Sequence, residues 1–193
     1  MSQITKKALA QALASLMDEK PLSKITISDI TNKAGVNRHT FYYHFKDIND
    51  MIAWIFSTTA NEILESKVSY AMWTDGFRDI LSYIVDHKKY MFAVYHSNTK
   101  DYLLRFFNEW TYSLIREVLE EQSAGMKVSV SDKDYIASFY TFGFVGILTR
   151  WIDNGMIEKP DEMVDQLEIL VRGDFKDALS KFENKVLNYR QTL

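Results

Sequence analysis

Residues Lys24–Phe45 read KITISDITNKAGVNRHTFYYHF, and this stretch decides the fold. Thr26 followed by Asp29 has capping-box spacing, so the hydroxyl can take an orphan N–H at the start of a helix. Ile27, Ile30 and Ala34 supply an apolar stripe. Gly35 then stands where the chain must turn sharply, and glycine reaches positive φ without the clash of a Cβ. Asn37 can cap a second helix that opens on Arg38. A step of about 100° per residue puts Phe41 and Phe45 on one face of it. His39 and Tyr43 point nearly opposite, flanked by Thr40 and Tyr42. One face is set to be buried and the other is left for contact.

Two short helices around a tight glycine turn form a helix-turn-helix, whose second helix lies in the major groove of DNA while the first braces it. The candidate base-reading side chains are Arg38, His39, Thr40 and Tyr43. Thr26, Tyr42, His44 and Lys46 are candidates for phosphate contacts, with Asn37 capping its helix while facing the backbone.

The same residues resemble the DNA-binding domain of the TetR family of bacterial regulators. The family pattern T-x-x-x-I-x-x-x-A-G-V-[SN]-x-x-T-[FL]-Y-x-H-F-x-[DN] is met by Thr26, Ile30, Ala34, Gly35, Val36, Asn37, Thr40, Phe41, Tyr42, His44, Phe45 and Asp47. The pattern continues K-x-x-L, and there the chain departs from it, with Ile48 and Met51. Loss of that lysine removes a family phosphate contact and leaves Lys46 to supply it. The resemblance implies a homodimer on a double-stranded, pseudo-palindromic operator, with a small-molecule effector controlling release.

Composition is compatible with this reading. Hydrophobic residues make up 47% of the 193, with only seven Gly and two Pro, as expected of a helix-rich globule with a substantial core. Cysteine is absent, so disulfides and thiolate metal sites are excluded. The net charge of −3 divides unevenly: residues 1–56 hold seven cations against five acids, a net +2, and the remainder carries −5. A weakly basic head suits phosphate contact. No signal-peptide-like run and no membrane-length apolar stretch is evident, which points to a cytoplasmic protein without membrane contact.

Catalytic patterns are missing. His87 and His96 do not form a metal-ligand spacing, and no nucleophile elbow, Walker loop or dinucleotide fingerprint occurs. The expectation is a protein without enzymatic activity, metal or cofactor.

Periodicity and breakers give an all-α fold of about nine helices. The spacing predicts helices near 3–19, 26–45 (two), 47–69, 75–86, 88–96, 99–122, 131–154 and 161–189. Ser131 with Asp134 marks a capping box for the penultimate helix. Asn154-Gly155 ends it, and Pro160 opens the last. The domains read as 1–47 for the DNA-binding head and 48–193 for an effector-binding and dimerisation body.

The last two helices carry apolar stripes that include Phe139, Phe142, Phe175, Leu179 and Val186, with Gly143 and Gly146 allowing another backbone to approach. By resemblance to the family, Phe139, Phe142, Gly143, Gly146, Phe175 and Leu179 are candidates for a four-helix dimer interface; they can equally be the body's own core. The segment F-x-x-x-G-x-x-G-x-x-x-x-W-I-x-x-G-M at 139–156 also resembles the C-terminal domain of a DhaS-like subgroup of the family. A repressor is expected, and because that subgroup includes activators, an activator is the alternative. A further alternative is an all-α small-molecule-binding protein that does not bind DNA. Trp73, Tyr83, Tyr95, Phe106, Trp110 and Tyr140 are the candidate lining of an effector pocket, since large apolar pockets with few polar groups are the usual small-molecule sites.

Overall fold

The computed structural model describes residues 2–64 and 69–191, with side chains described as far as Asn184. Among the described residues there are ten α-helices and one 3-10 turn, and no strand. They are α1 (Ser2–Glu19), α2 (Ile27–Ala34), α3 (Arg38–His44), α4 (Ile48–Leu64), α5 (Trp73–Asp86), α6 (Lys88–Tyr95), α7 (Lys100–Gln122), α8 (Val130–Asp153), α9 (Pro160–Val171) and α10 (Asp174–Gln191). The all-α reading therefore holds. No helix among the described residues is long and apolar enough to cross a membrane.

Two compact units divide the chain: Met1–Glu62 with Asp86–Phe106, and Ile63–Val85 with Phe107–Leu193. The unit that carries the helix-turn-helix thus runs past residue 47 and takes in α6. Its core is the apolar stripe of α1 (Leu9, Leu13, Leu16) closed by Ile30, Phe41, Phe45, Met51 and Ile52, all buried. Each such side chain contributes roughly 1.5–3 kcal/mol by leaving water. Pro21 ends α1 as expected, but the chain then makes a 3-10 turn at Leu22–Lys24, which drops Leu22 into the core.

The second unit centres on Leu119, Ile136, Phe144, Leu167, Phe175 and Leu179. Two sequence expectations are corrected here. The helix expected over 161–189 is broken at Gly173, whose φ is 85°, and this yields the tenth helix. The Gly173 N–H turns away from the helical ladder and donates to the Tyr70 hydroxyl at 2.9 Å. The cap of α8 is also two residues earlier than expected. Ser129, not Ser131, accepts from the Asp132 N–H at 3.1 Å. Asp134 is engaged elsewhere, 2.8 Å from Arg116 Nε and 3.0 Å from the Tyr112 hydroxyl.

The end of α8 matches its sequence signal. Gly155 (φ 82°) and Met156 (φ 53°) are both left-handed, and Met156 N–H donates to Trp151 O at 2.8 Å. The Trp151 indole N–H reaches on to Glu158 O at 2.9 Å. Val186, expected on the last stripe, lies outside the described side chains.

Candidate nucleic-acid interface

The helix-turn-helix is built by local hydrogen bonds that its sequence supplies. The Thr26 hydroxyl accepts from Asp29 N–H at 3.2 Å, and the Asp29 carboxylate accepts from Thr26 N–H at 2.8 Å, so both halves of the capping box form. Gly35 sits at φ 67°, with its own N–H on Asn32 O and Val36 N–H on Thr31 O. These two bonds satisfy carbonyls that α2 would otherwise leave open. Asn37 Oδ1 accepts from Thr40 N–H at 2.8 Å and caps α3.

The two faces of α3 differ as its periodicity requires. Phe41 is fully buried and Phe45 nearly so, their rings 5.8 Å apart. Phe45 packs on Trp54 at 5.6 Å, and the Lys6 ammonium lies 5.2 Å from both of those ring centroids. On the opposite side Arg38 and His39 are exposed, with Tyr42 51% and Tyr43 79% exposed. An exposure of 79% leaves nearly the whole Tyr43 ring unspent on the fold. Thr40 and His44 are half-buried, His44 against the edge of Tyr43 at 5.0 Å between centroids.

Thr26, Asn37 and Lys46 are exposed at the ends of these helices. The nine nominated residues therefore fall on one short segment, and none is used in the core. Lys46 N–H donates to Asp50 at 2.9 Å, while Asp47 accepts from Asp50 N–H at 2.9 Å, which starts α4 directly behind α3. An exposed guanidinium, imidazole, phenols and hydroxyls on a braced helix can meet phosphates and base edges.

Asp29 also meets Lys20 at 2.8 Å. That contact, with the bonds from Thr26, lowers the Asp29 carboxyl from its ordinary value to about 2. The first helix of the motif is thereby tied to the end of α1.

The second unit holds an apolar cavity of about 70 Å³. From α5 it is lined by Trp73, Gly76 and Phe77, and from α7 by Trp110, Thr111, Leu114, Ile115 and Val118; Phe144 and Phe175 close it. Of the six residues nominated for a pocket, only Trp73 and Trp110 line this one. Tyr95 is 1% exposed in the core of the other unit, and Phe106 stacks on Phe56 there at 5.9 Å. Tyr83 is half-buried off the cavity wall. Tyr140 packs on Phe175 at 4.6 Å and faces a separate groove with Phe139, Asp174 and Asp177. Burial and then the two aspartates push its hydroxyl up to about 12. The spacing Trp110, Leu114, Val118 was readable as one face of α7; which aromatic face closes it was not.

The residues nominated for an interface separate in the same way. Phe139 and Phe142 are 68% and 71% exposed, and an added Cβ at Gly143 or Gly146 meets nothing within 4 Å. Phe175 and Leu179, at 3% and 0% exposed, pack in the core of the second unit, where α10 meets α8.

The helix-turn-helix thus lies in one compact unit, and the other unit has a core and a cavity of its own. Residues 9–54 match the bacterial regulatory proteins of the tetR family, and residues 71–173 match a transcriptional regulator C-terminal region; the chain belongs to the TetR family of transcriptional regulators. Members of this family regulate transcription and are not enzymes. Among characterised proteins the chain is similar to the dhaKLM operon transcriptional activator DhaS of Lactococcus lactis, 24% identical over 155 residues, covering 80% of this chain and 82% of that one. It is 23% identical over 174 residues to the probable acrEF/envCD operon repressor of Escherichia coli, covering 78% and 77%. A solved structure of the dihydroxyacetone kinase operon activator DhaS shares the fold with a TM-score of 0.68 at 22% identity, over 90% of this chain and 97% of that one.

Proposed function

We propose that the protein binds a pseudo-palindromic operator in double-stranded DNA as a cytoplasmic homodimer, represses transcription there, and is released by a small-molecule effector. The observation that supports this most is the division of α3. Phe41 and Phe45 hold the helix down, while Arg38, His39 and Tyr43 stand clear of the fold. In this reading residues 1–47 form the DNA-binding domain. Arg38, His39, Thr40 and Tyr43 meet base edges, and Thr26, Asn37, Tyr42, His44 and Lys46 hold the backbone. Phosphate contacts fix register and affinity, and base contacts fix sequence preference. Two heads matched to half-sites about one helical turn apart (~34–36 Å) require a dimer.

The exposed stripe of α8, with Phe139, Phe142, Gly143 and Gly146, supports pairing there. An effector that binds one conformation better than the other shifts the population away from the DNA-competent one. Gel-shift titration with the DNA upstream of the protein's own gene tests the central claim. Specific, competitor-resistant binding is expected, and binding no tighter than to random DNA would overturn it.

Activation is the second reading, favoured by the activator named among the relatives that cover most of the chain. Transcription in vitro from the bound promoter separates the two by the sign of the response.

A further inference from the structure

The effector reading leaves open which chemistry the body admits, and the cavity wall narrows it. We propose that the cavity takes a single-ring aromatic compound without negative charge, held by ring contacts and oriented by one hydrogen bond to the Thr111 hydroxyl. This rests on the effector-responsive reading above and names the ligand class for it.

Trp73, Phe77, Trp110, Phe144 and Phe175 surround the space with five rings. Phe144 is met edge-on by Trp73 at 5.7 Å and by Phe77 at 5.6 Å, so the wall already uses the geometry that a further ring would adopt. Among the described residues of the lining there is no carboxylate, ammonium or guanidinium. An anion would be desolvated there without a partner among the described lining residues, and it would face the negative ring faces, so it costs more than ring contacts return. Polar side-chain groups among the described lining residues are the Thr111 and Ser69 hydroxyls and the indole N–H groups. Thr111 lies between Trp110 and Leu114 on the α7 wall.

Size restricts the class further. The cavity, about 70 Å³ and partly open, is smaller than the ~150 Å³ of an engineered apolar cavity that holds benzene. A single ring therefore enters it only in part, with the remainder at the mouth, and fused polycycles do not fit without repacking the five rings.

Calorimetric titration of the full chain with benzyl alcohol and benzoate isolates negative charge on a constant ring. Benzyl alcohol is expected to bind at least about tenfold tighter than benzoate. Leu114→Trp, which fills the space, should abolish that binding while the circular dichroism spectrum is kept. If that variant fails to fold, Thr111→Val serves instead: it should weaken benzyl alcohol severalfold and leave toluene unchanged. The proposal is overturned by benzoate that binds as well as the alcohol, by no binding of the alcohol at millimolar concentration, or by undiminished binding in folded Leu114→Trp. Equal effects of Thr111→Val on alcohol and toluene would remove the assigned hydroxyl. A gel shift with and without benzyl alcohol is read separately. Binding without operator release would uphold the ligand class and sink effector-controlled release.

Discussion

The Asp29 carboxylate lies 2.8 Å from the Lys20 ammonium while it accepts two hydrogen bonds from Thr26, at 2.8 Å from the N–H and 2.7 Å from the hydroxyl. One side chain thus closes the capping box of α2 and ties that helix to the end of α1. The contact from Lys20 and then those from Thr26 hold its carboxyl at about 2, below the ordinary 3.8. A carboxyl depressed by folding stabilises the native state above its unfolded value, and that contribution disappears as pH falls through the folded one. Asp29→Asn should therefore lower the melting temperature at neutral pH, and the gap to wild type should shrink between about pH 4 and pH 2. Thermal melts across that range check it; a gap independent of pH would contradict the ion pair.

Exposure separates reading from bracing on α3. Arg38→Ala and Tyr43→Ala remove exposed groups, so melting temperatures should stay put while operator affinity falls about tenfold or more, as for base contacts worth roughly 1–3 kcal/mol. Phe41→Ala does the reverse: a fully buried ring is removed, at a cost of about 3–5 kcal/mol. Its DNA binding should fail together with its folding. Paired melts and gel shifts on the three variants distinguish the roles.

Lys46 is exposed at the junction of α3 and α4. As a phosphate ligand it sets affinity without reading sequence. Lys46→Ala should weaken all duplexes alike and flatten the log–log salt dependence by roughly one unit for each phosphate that the dimer no longer neutralises. Fluorescence anisotropy at several salt concentrations measures the slope, and altered sequence preference at constant slope would make Lys46 a base reader.

Gly146 tests the dimer. A Cβ there meets nothing within 4 Å in the single chain, so Gly146→Leu should fold. If another subunit passes over the stripe with Phe142, the leucine blocks it. Sedimentation should then report a monomer, with most operator affinity gone. Phe142→Asp should behave alike, and intact dimers in both variants would move the interface elsewhere.

Caps were legible because their physics is local. Thr26, Gly35, Asn37, Asn154 and Pro160 act on backbone groups within a few residues, and the structure uses each as its spacing implied. The failure at α8 shows where such reading stops. Ser129–Asp132 and Ser131–Asp134 have the same spacing, and the choice falls to Arg116 and Tyr112, which hold Asp134 on α7. Neither residue is near in sequence, so no local rule could choose between the two caps.

The sequence by itself determined the all-α class, the helix-turn-helix and the two faces of α3. Short-range hydrogen bonds and a helical period of about 3.6 residues are properties of a segment, not of its surroundings. Tertiary structure decided which aromatics line a cavity and which stripe remains outside. Trp110, Tyr95 and Phe106 all lie on apolar helical faces, yet Trp110 lines this cavity while Tyr95 and Phe106 pack in the other unit. Phe139 and Phe175 likewise belong to apolar stripes of α8 and α10, and only packing makes one surface and the other core. A helix specifies an apolar face; what that face meets depends on residues that arrive from elsewhere in the chain.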